Sequence, residues 1–215
     1  MSDVDREALQ AASAHPALRA IAPFLLRLLD EPDLSVASID RVFAGRSQIR
    51  FEVQPPKRKR REPFEAARSY DGSITLRGVV PSREGSLHDL MNALAWAAFP
   101  HSKRAIHARQ LAALVNEVEE GSLALPGRRS RLRDRLSMLD EGGVLLCDPH
   151  PLVLGHAVTE QVVRDASRDI QTCVVRITGD DPDAALAAQL TSLDDASLER
   201  WIGALPSGAL RALWR

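Results

Sequence analysis

The stretch SLHDLMNALAWAAFPHSKRAIHARQ, Ser86 to Gln110, decides the fold. Its pattern predicts two helices, about 87–99 and 101–119, divided by Pro100, because proline cannot continue a helix. Almost every residue of the first helix is apolar, and a helix that is apolar on all sides is buried on most of them. The few polar residues inside it are therefore informative, since a buried polar group needs a partner.

Three polar residues interrupt the first helix: His88, Asp89 and Asn92. Ser86 followed three residues later by Asp89 approximates a capping box, which gives Asp89 a structural explanation. His88 and Asn92 are four residues apart and share one face of the helix. Capping explains neither of them, so each is a hydrogen-bonded core residue or part of a site.

The second helix has an apolar stripe that continues backwards through two polar residues. Extended by whole turns, it passes through His107 and Lys103, and both are expected to point into the interior near Pro100. The alternative is that the Lys103 ammonium reaches solvent along its aliphatic stem. The stripe consists of Leu111, Leu114, Val115 and Val118.

The whole chain is expected to be α+β, predominantly helical with a few short strands, in a single globular domain. The predicted segments are an N-terminal helical part (1–47), a core (48–178) and a helical C-terminal tail (179–215) packed on the same domain. Predicted strands cover 48–54, with residues 49, 51 and 53 inward, 144–147 and 171–178. Helices are predicted over 5–30, in two pieces or entered at Pro16, and over 35–43, 129–141 and 151–164. Residues 70–83 are predicted to form a turn, a short strand and a second turn at Pro81.

Composition narrows the possible partners. A chain of 215 residues with net charge −1 has no overall field that would attract nucleic acid or an anionic membrane. The N-terminus lacks a signal-peptide pattern, and no window approaches the roughly 20 apolar residues of a membrane span. Two cysteines in apolar runs are expected to be reduced. These observations predict a cytoplasmic protein with no membrane partner.

Two pairs of polar residues lie where helices are otherwise apolar. Asp140 and Glu141 end a predicted helix and oppose its dipole, so an arginine, Lys103 or a metal ion should compensate their charge. His156 and Glu160 form an i, i+4 pair that could orient a catalytic histidine, help to hold a metal or make one buried hydrogen bond. No HExxH motif or spaced cysteine site accompanies them, so a divalent metal rests on these residues alone.

The basic run Lys57–Arg61 could bind phosphates, but it contains no aromatic residue and Glu62 follows it, which favours a solvated loop. The arginine-rich segment Arg128–Arg135 has the same two interpretations. No P-loop, GxGxxG or GxSxG motif is present, so a standard phosphate-binding cofactor is not indicated.

Four blocks resemble the proteobacterial family called domain of unknown function 3025, over about residues 48–160. They are YDGSITLRGVVPSR, the opening stretch, RSRLRDRLSMLDEGGVLL and LGHAVTE. Asp71, Ser82 and His107 depart from the family pattern, in which Glu, Thr and Asn are expected. The matching positions are Phe51, Tyr70, Gly78, Pro81, Arg83, His88, Asp89, Asn92, Trp96, Phe99, Pro100, Lys103, Arg133, Asp134, Asp140, Glu141, Gly142, Gly155, His156 and Glu160.

The resemblance implies a bacterial source but no reaction, because the family itself is one of unknown function. It favours the residues that the helix patterns single out: His88, Asn92, Lys103, Asp140, Glu141 and His156. We expect a hydrolase-like enzyme, acting on an unidentified small-molecule or macromolecular ligand. The histidines would be bases or metal ligands, and Lys103 with Arg133 would stabilise an anion. The alternatives are a non-catalytic scaffold with a buried polar network, and a nucleic-acid binder using Lys57–Arg61.

Overall fold

Helices make up most of the chain, and short strands interrupt them. The computed structural model describes residues 5–43, 45–46, 48–54, 65–118, 128–168 and 171–205. The elements in these ranges are α1 (Arg6–Ala12), α2 (Ala22–Leu29), α3 (Val36–Phe43), β1 (Arg50–Val53), α4 (Tyr70–Arg77), β2 (Val79–Ser82), α5 (Leu87–Ala98), α6 (Pro100–Glu117), α7 (Arg131–Gly142), β3 (Gly143–Leu146), β4 (Leu152–Val153), α8 (His156–Asp165), β5 (Thr172–Arg176), α9 (Pro182–Ser192), α10 (Asp195–Trp201) and β6 (Gly203–Leu205).

The predicted pair of helices around Pro100 is confirmed. Pro100 is the first residue of α6, a position at which the missing N–H has no helical partner to lose. The next two N–H groups, of His101 and Ser102, donate to the carboxylate of Asp183 at 2.9 and 2.7 Å. Helix α9 therefore caps the N-terminus of α6 and fixes the direction in which the chain continues after the break.

The strands form two small sheets. In the first, β1 pairs with β2 in parallel, with Phe51 opposite Val80. In the second, the order is β4-β3-β5-β6, with β3 and β5 parallel and both outer pairs antiparallel. Parallel neighbours need a crossover, and α4 and α8 lie within the two crossovers. Because β4 runs back along β3, which begins where α7 ends, helix α8 begins close to the carboxyl end of α7.

Two hydrophobic cores lie on either side of the four-stranded sheet. Successive residues of a strand face opposite sides, so Val144 packs into the first core and Leu145 into the second. Helix α5 contributes Trp96 and its neighbours to the first core, whereas Phe99 and Ile106 belong to the second. The break at Pro100 is therefore one of the places where the chain passes from one core to the other.

The prediction for residues 70–83 was right about a short strand, β2, and wrong about both turns. Residues 70–77 form helix α4, which Ser69 caps by accepting a hydrogen bond from the Gly72 N–H at 2.9 Å. Gly78 ends the helix in the left-handed conformation at φ 65°. Pro81 then lies within strand β2 and not in a turn.

Three smaller differences concern element ends. Residues 151–155 are not helical, because β4 occupies part of this segment and α8 begins only at His156. Val53 in β1 points outward and is 57% exposed, although the strand pattern placed it inward. The tail contains strand β6 besides its two helices, and residues 206–215 lie outside the described ranges.

The expected class is confirmed: the described chain is α+β, mostly helical, and compact. None of the helices in the described ranges is both long enough and apolar enough to cross a membrane.

Candidate metal centre

A solvent-facing cleft of about 210 Å³ contains five of the six predicted site residues. Helix α5 contributes His88 and Asn92, the end of α7 contributes Asp140 and Glu141, and the start of α8 contributes His156. The cleft is completed by Gln54, Tyr70, Pro81, Arg83 and Asp89. Lys103 is not among the lining residues.

The first turn of α5 positions His88 at the cleft. Ser86 caps the helix by accepting a hydrogen bond from the Asp89 N–H at 3.3 Å, as predicted. The Asp89 carboxylate accepts three bonds from Arg83, two of them from the guanidinium at 2.9 Å. Burial would raise the pKa of Asp89, but these bonds and the positive charge of Arg83 lower it overall.

His156 is the first residue of α8 and is buried. Its Nδ1 lies 2.9 Å from the backbone carbonyl oxygen of Asp140, so Nδ1 carries the proton and donates. Burial, helped by the charge of Lys103, lowers the pKa of His156 to about 3, although Asp140 acts in the opposite direction. The ring is therefore neutral, and its Nε2 presents a lone pair to the cleft.

The expected pairing of His156 with Glu160 was wrong. The Glu160 carboxylate instead accepts a hydrogen bond from Nδ1 of His88 at 2.8 Å, and its other oxygen accepts one from Arg164 at 3.0 Å. A neutral His88 that donates from Nδ1 also has its lone pair on Nε2.

The two Nε2 atoms of His88 and His156 face each other at 3.2 Å. Each ring uses its Nδ1 proton on a strong acceptor, so two lone pairs meet unless a proton or a metal ion lies between them. At a tetrahedral angle, two nitrogen ligands bound at about 2.0–2.1 Å to one zinc ion are separated by about 3.3–3.4 Å. The observed separation suits two ligands of one ion.

Glu141 completes a set of three ligand groups. One ligand atom each from His88, Glu141 and His156 lies within 4.8 Å of the other two. Glu141 is exposed at the end of α7, where the helix dipole opposes its charge, so a cation beside it is favourable. Two imidazoles and one carboxylate are a common catalytic zinc set.

Lys103 belongs to a sealed network behind the cleft. Its ammonium is fully buried, forms an ion pair with Asp140 and lies 5.7 Å from the centre of the Trp96 ring. The alternative that it reaches solvent is therefore wrong. Nor does it stand in the cleft with Arg133, whose guanidinium binds Glu117 at 3.0 Å.

Asp140 joins this network to the cleft. Burial would raise the pKa of its carboxyl, but the charge of Lys103 and its hydrogen bond to the carboxylate lower it well below its usual range. His107 stacks on Trp96 with ring centres 5.5 Å apart, and its Nδ1 lies 2.9 Å from the Asp71 carboxylate. Lys103 therefore supplies the compensating cation expected for Asp140.

Sequence reasoning did not assign Tyr70 or Asp71 to the site. It singled out Glu160 and His107, and His107 is buried as predicted, but it did not pair Glu160 with His88 or His107 with Asp71. Tyr70 and Asp71 were missed because α4 was not predicted. The signals that could have found this helix were the serine before it and Gly78 after it. Of the basic segments, Lys57–Arg61 lies outside the described residues, and Arg128, Arg129 and Arg131 are exposed.

Replacing Gly155 by alanine is expected to destabilise the protein by about 1–3 kcal/mol or more. A Cβ at this position would lie 2.5 Å from the Glu141 carbonyl oxygen and 2.6 Å from the Gly143 nitrogen, both backbone atoms. Thermal unfolding measures the effect. Gly203→Ala is the matched control, because its Cβ would make only ordinary contacts at 3.6 Å. An unchanged midpoint for Gly155→Ala would contradict the close packing of α7 against α8.

Comparison with known proteins supports the resemblance for part of the chain. The model of a family described as "Protein of unknown function (DUF3025)" matches residues 59–152. No curated protein and no solved structure gave a match. The matched segment includes His88, Lys103 and Glu141 but ends before His156 and Glu160. The resemblance is therefore shown for the central part of the chain. His156, one of the two histidines of the candidate centre, and Glu160, the partner of His88, lie beyond it.

Proposed function

We propose that this protein is a metal-dependent hydrolase with its metal centre at His88, Glu141 and His156. The observation that carries the proposal is the 3.2 Å contact between the Nε2 atoms of two imidazoles whose Nδ1 atoms both face acceptors, with a carboxylate beside them. A bound divalent cation satisfies all three groups at once. A proton between the rings would leave Glu141 without a partner of its own.

The groups around the three ligands support the same proposal. Metal-binding histidines usually donate their second N–H to a carboxylate or a backbone carbonyl, which fixes the ring and makes the other nitrogen a better ligand. His88 donates to Glu160, and His156 donates to the carbonyl of Asp140. Arg164 holds the other oxygen of Glu160. Both rings are thus held with Nε2 directed towards the cleft.

Hydrolysis is the chemistry that best suits such a centre. Three protein ligands leave a coordination position for water, and zinc in such a site lowers the pKa of that water to about 7. The position would face the cleft, which opens to solvent and is lined by hydrogen-bonding side chains. A volume of about 210 Å³ suits a small substrate or the end of a larger one.

A non-catalytic scaffold is the second candidate, and the sealed network favours it. Lys103, Asp140, His107 and Asp71 are buried and pair with one another, as a network that fixes the helix arrangement would do. Such a network accounts for Lys103 but not for His88 and Glu141, which are partly or fully exposed at the cleft. The two functions therefore rest on different residues.

Metal analysis of the purified protein tests the proposal. Protein prepared without chelators, then dialysed against zinc, manganese or iron(II), is expected to retain about one ion per chain. Hydrolysis of p-nitrophenyl acetate, p-nitrophenyl phosphate and bis(p-nitrophenyl) phosphate is then compared before chelation, after chelation and after the ion is restored. Activity on at least one ester that follows the metal supports the proposal. Failure to retain any of the ions would refute it.

A bacterial cytosolic location is part of the same proposal. Cys147 and Cys173 are both free, as expected in a reducing compartment.

A further inference from the structure

We infer that Tyr70 is a further catalytic residue of this centre, and that its phenolic O–H donates to an oxygen of the metal-bound substrate. The inference rests on the proposed metal centre. It also restricts the substrate class to compounds, such as carboxylic or phosphoric esters and amides, in which an oxygen gains negative charge as the reaction proceeds.

The Tyr70 ring is fixed at the wall of the cleft. Tyr70 is the first residue of α4, and its ring packs edge-on against His107 with centres 5.6 Å apart. His107, which lies behind the Tyr70 ring, is buried and is itself held by Asp71 and by stacking on Trp96. The phenolic oxygen is therefore anchored on the same cleft as the three ligands.

Asn92 determines which way the phenol proton can point. Its Nδ2 donates to the Tyr70 oxygen at 2.9 Å, so the tyrosine oxygen is the acceptor of this bond and its own proton points elsewhere. Within the described ranges no side chain or carbonyl accepts that proton. Asn92 lies one turn beyond His88 on the same face of α5, and such neighbours have Cβ atoms about 5–6 Å apart. The donor therefore lines the same cleft as His88, one of the proposed metal ligands.

The electrostatic surroundings keep the phenol protonated. Desolvation at the cleft wall raises the pKa of Tyr70, although the residue as a whole is 41% exposed. The negative charge of Asp140 raises this pKa further, against the smaller opposing effect of the Asn92 bond. A phenol in these surroundings donates a hydrogen bond and does not act as a base. This is the character required of a group that stabilises a developing oxyanion.

Binding of acetohydroxamate to the cobalt(II)-loaded protein tests the inference without a known substrate. The ligand coordinates the metal through oxygen, and the cobalt absorption spectrum follows both metal loading and ligand binding. Tyr70→Phe is expected to weaken acetohydroxamate about 10- to 100-fold, the usual effect of removing a hydrogen bond to a charged group. Cobalt affinity should not change. Leu76→Ala, on an exposed position of the same helix, is the control and should leave both affinities unchanged.

A second measurement uses the native side chain. Tyr70 is the chain's single tyrosine, so biosynthetic incorporation of 3-fluorotyrosine labels this position alone. Acetohydroxamate should shift the fluorine resonance of the metal-loaded protein and leave that of the metal-free protein unchanged. The result remains available if Tyr70→Phe does not fold.

The outcomes separate the two proposals. Unchanged acetohydroxamate affinity in Tyr70→Phe, or an unmoved fluorine signal, overturns the role of Tyr70 and leaves the metal centre intact. Loss of cobalt binding in Tyr70→Phe would make the residue structural, which also overturns the inference. Failure of the unmodified protein to bind cobalt, zinc, manganese or iron(II) refutes the proposed function itself.

Discussion

Replacing His156 by alanine is expected to weaken zinc binding by more than about 100-fold, beyond the effect usually seen when only a supporting residue is removed. The ring is buried and its orientation is fixed by the carbonyl of Asp140, so no neighbouring group can take its place. Equilibrium dialysis or competition with a chromogenic chelator measures the affinity.

The control for this variant is His101→Ala. His101 is the same residue type, is exposed, and lies outside the cleft, where only its backbone N–H is engaged. It should bind zinc like the unmodified protein. If His156→Ala also binds zinc with unchanged affinity and stoichiometry, the ion is held elsewhere and the proposed ligand set is wrong.

Replacing Lys103 by methionine is expected to lower the free energy of unfolding by about 3–5 kcal/mol, because it leaves the charge of Asp140 buried without its partner. For a chain of this size each kcal/mol shifts the melting temperature by about 2–4 °C. A decrease of the order of 10 °C is therefore expected in a thermal melt.

Two further variants test the cause of that decrease. Lys103→Met combined with Asp140→Asn removes the unpaired charge, so part of the lost stability should return. Arg41→Ala breaks a surface ion pair with Glu31, in which the arginine side chain is 58% exposed, and should change stability by no more than about 1 kcal/mol. If Lys103→Met had an equally small effect, the buried pair would contribute little to the fold.

Much of the fold could be predicted because long helices leave a strong periodic signal. In α5, α6 and α7 apolar residues recur over enough turns for each helix to be recognised from its own sequence. Helix α4 is not, since Ile74 is its single buried large apolar residue and it contains a glycine. Its stability comes from the Ser69 cap and from close packing of Gly72, where a Cβ would lie 1.9 Å from the carbonyl oxygen of Ala66. Contacts of this kind cannot be inferred from the sequence.

The sequence singled out individual residues of the candidate site, but it did not show which of them contact one another. Polar residues on apolar helices identified His88, Asn92 and His156 as unusual, because burial needs an explanation. The partners of such residues lie far away in the chain. Glu160 accepts a hydrogen bond from His88, 72 residues away, and Asp140 accepts one from Lys103, 37 residues away. The i, i+4 rule assigned Glu160 to His156 because that rule considers one helix at a time.

The position of the metal centre between the two cores bears on the stability of the folded chain. His88 and His156 project from helices that pack into the first core, whereas Glu141 ends a helix that packs into the second. An ion held by all three would link helices of the two cores at the surface of the cleft. Because a ligand that binds only the folded chain stabilises it by mass action, the chain would unfold more easily without the ion.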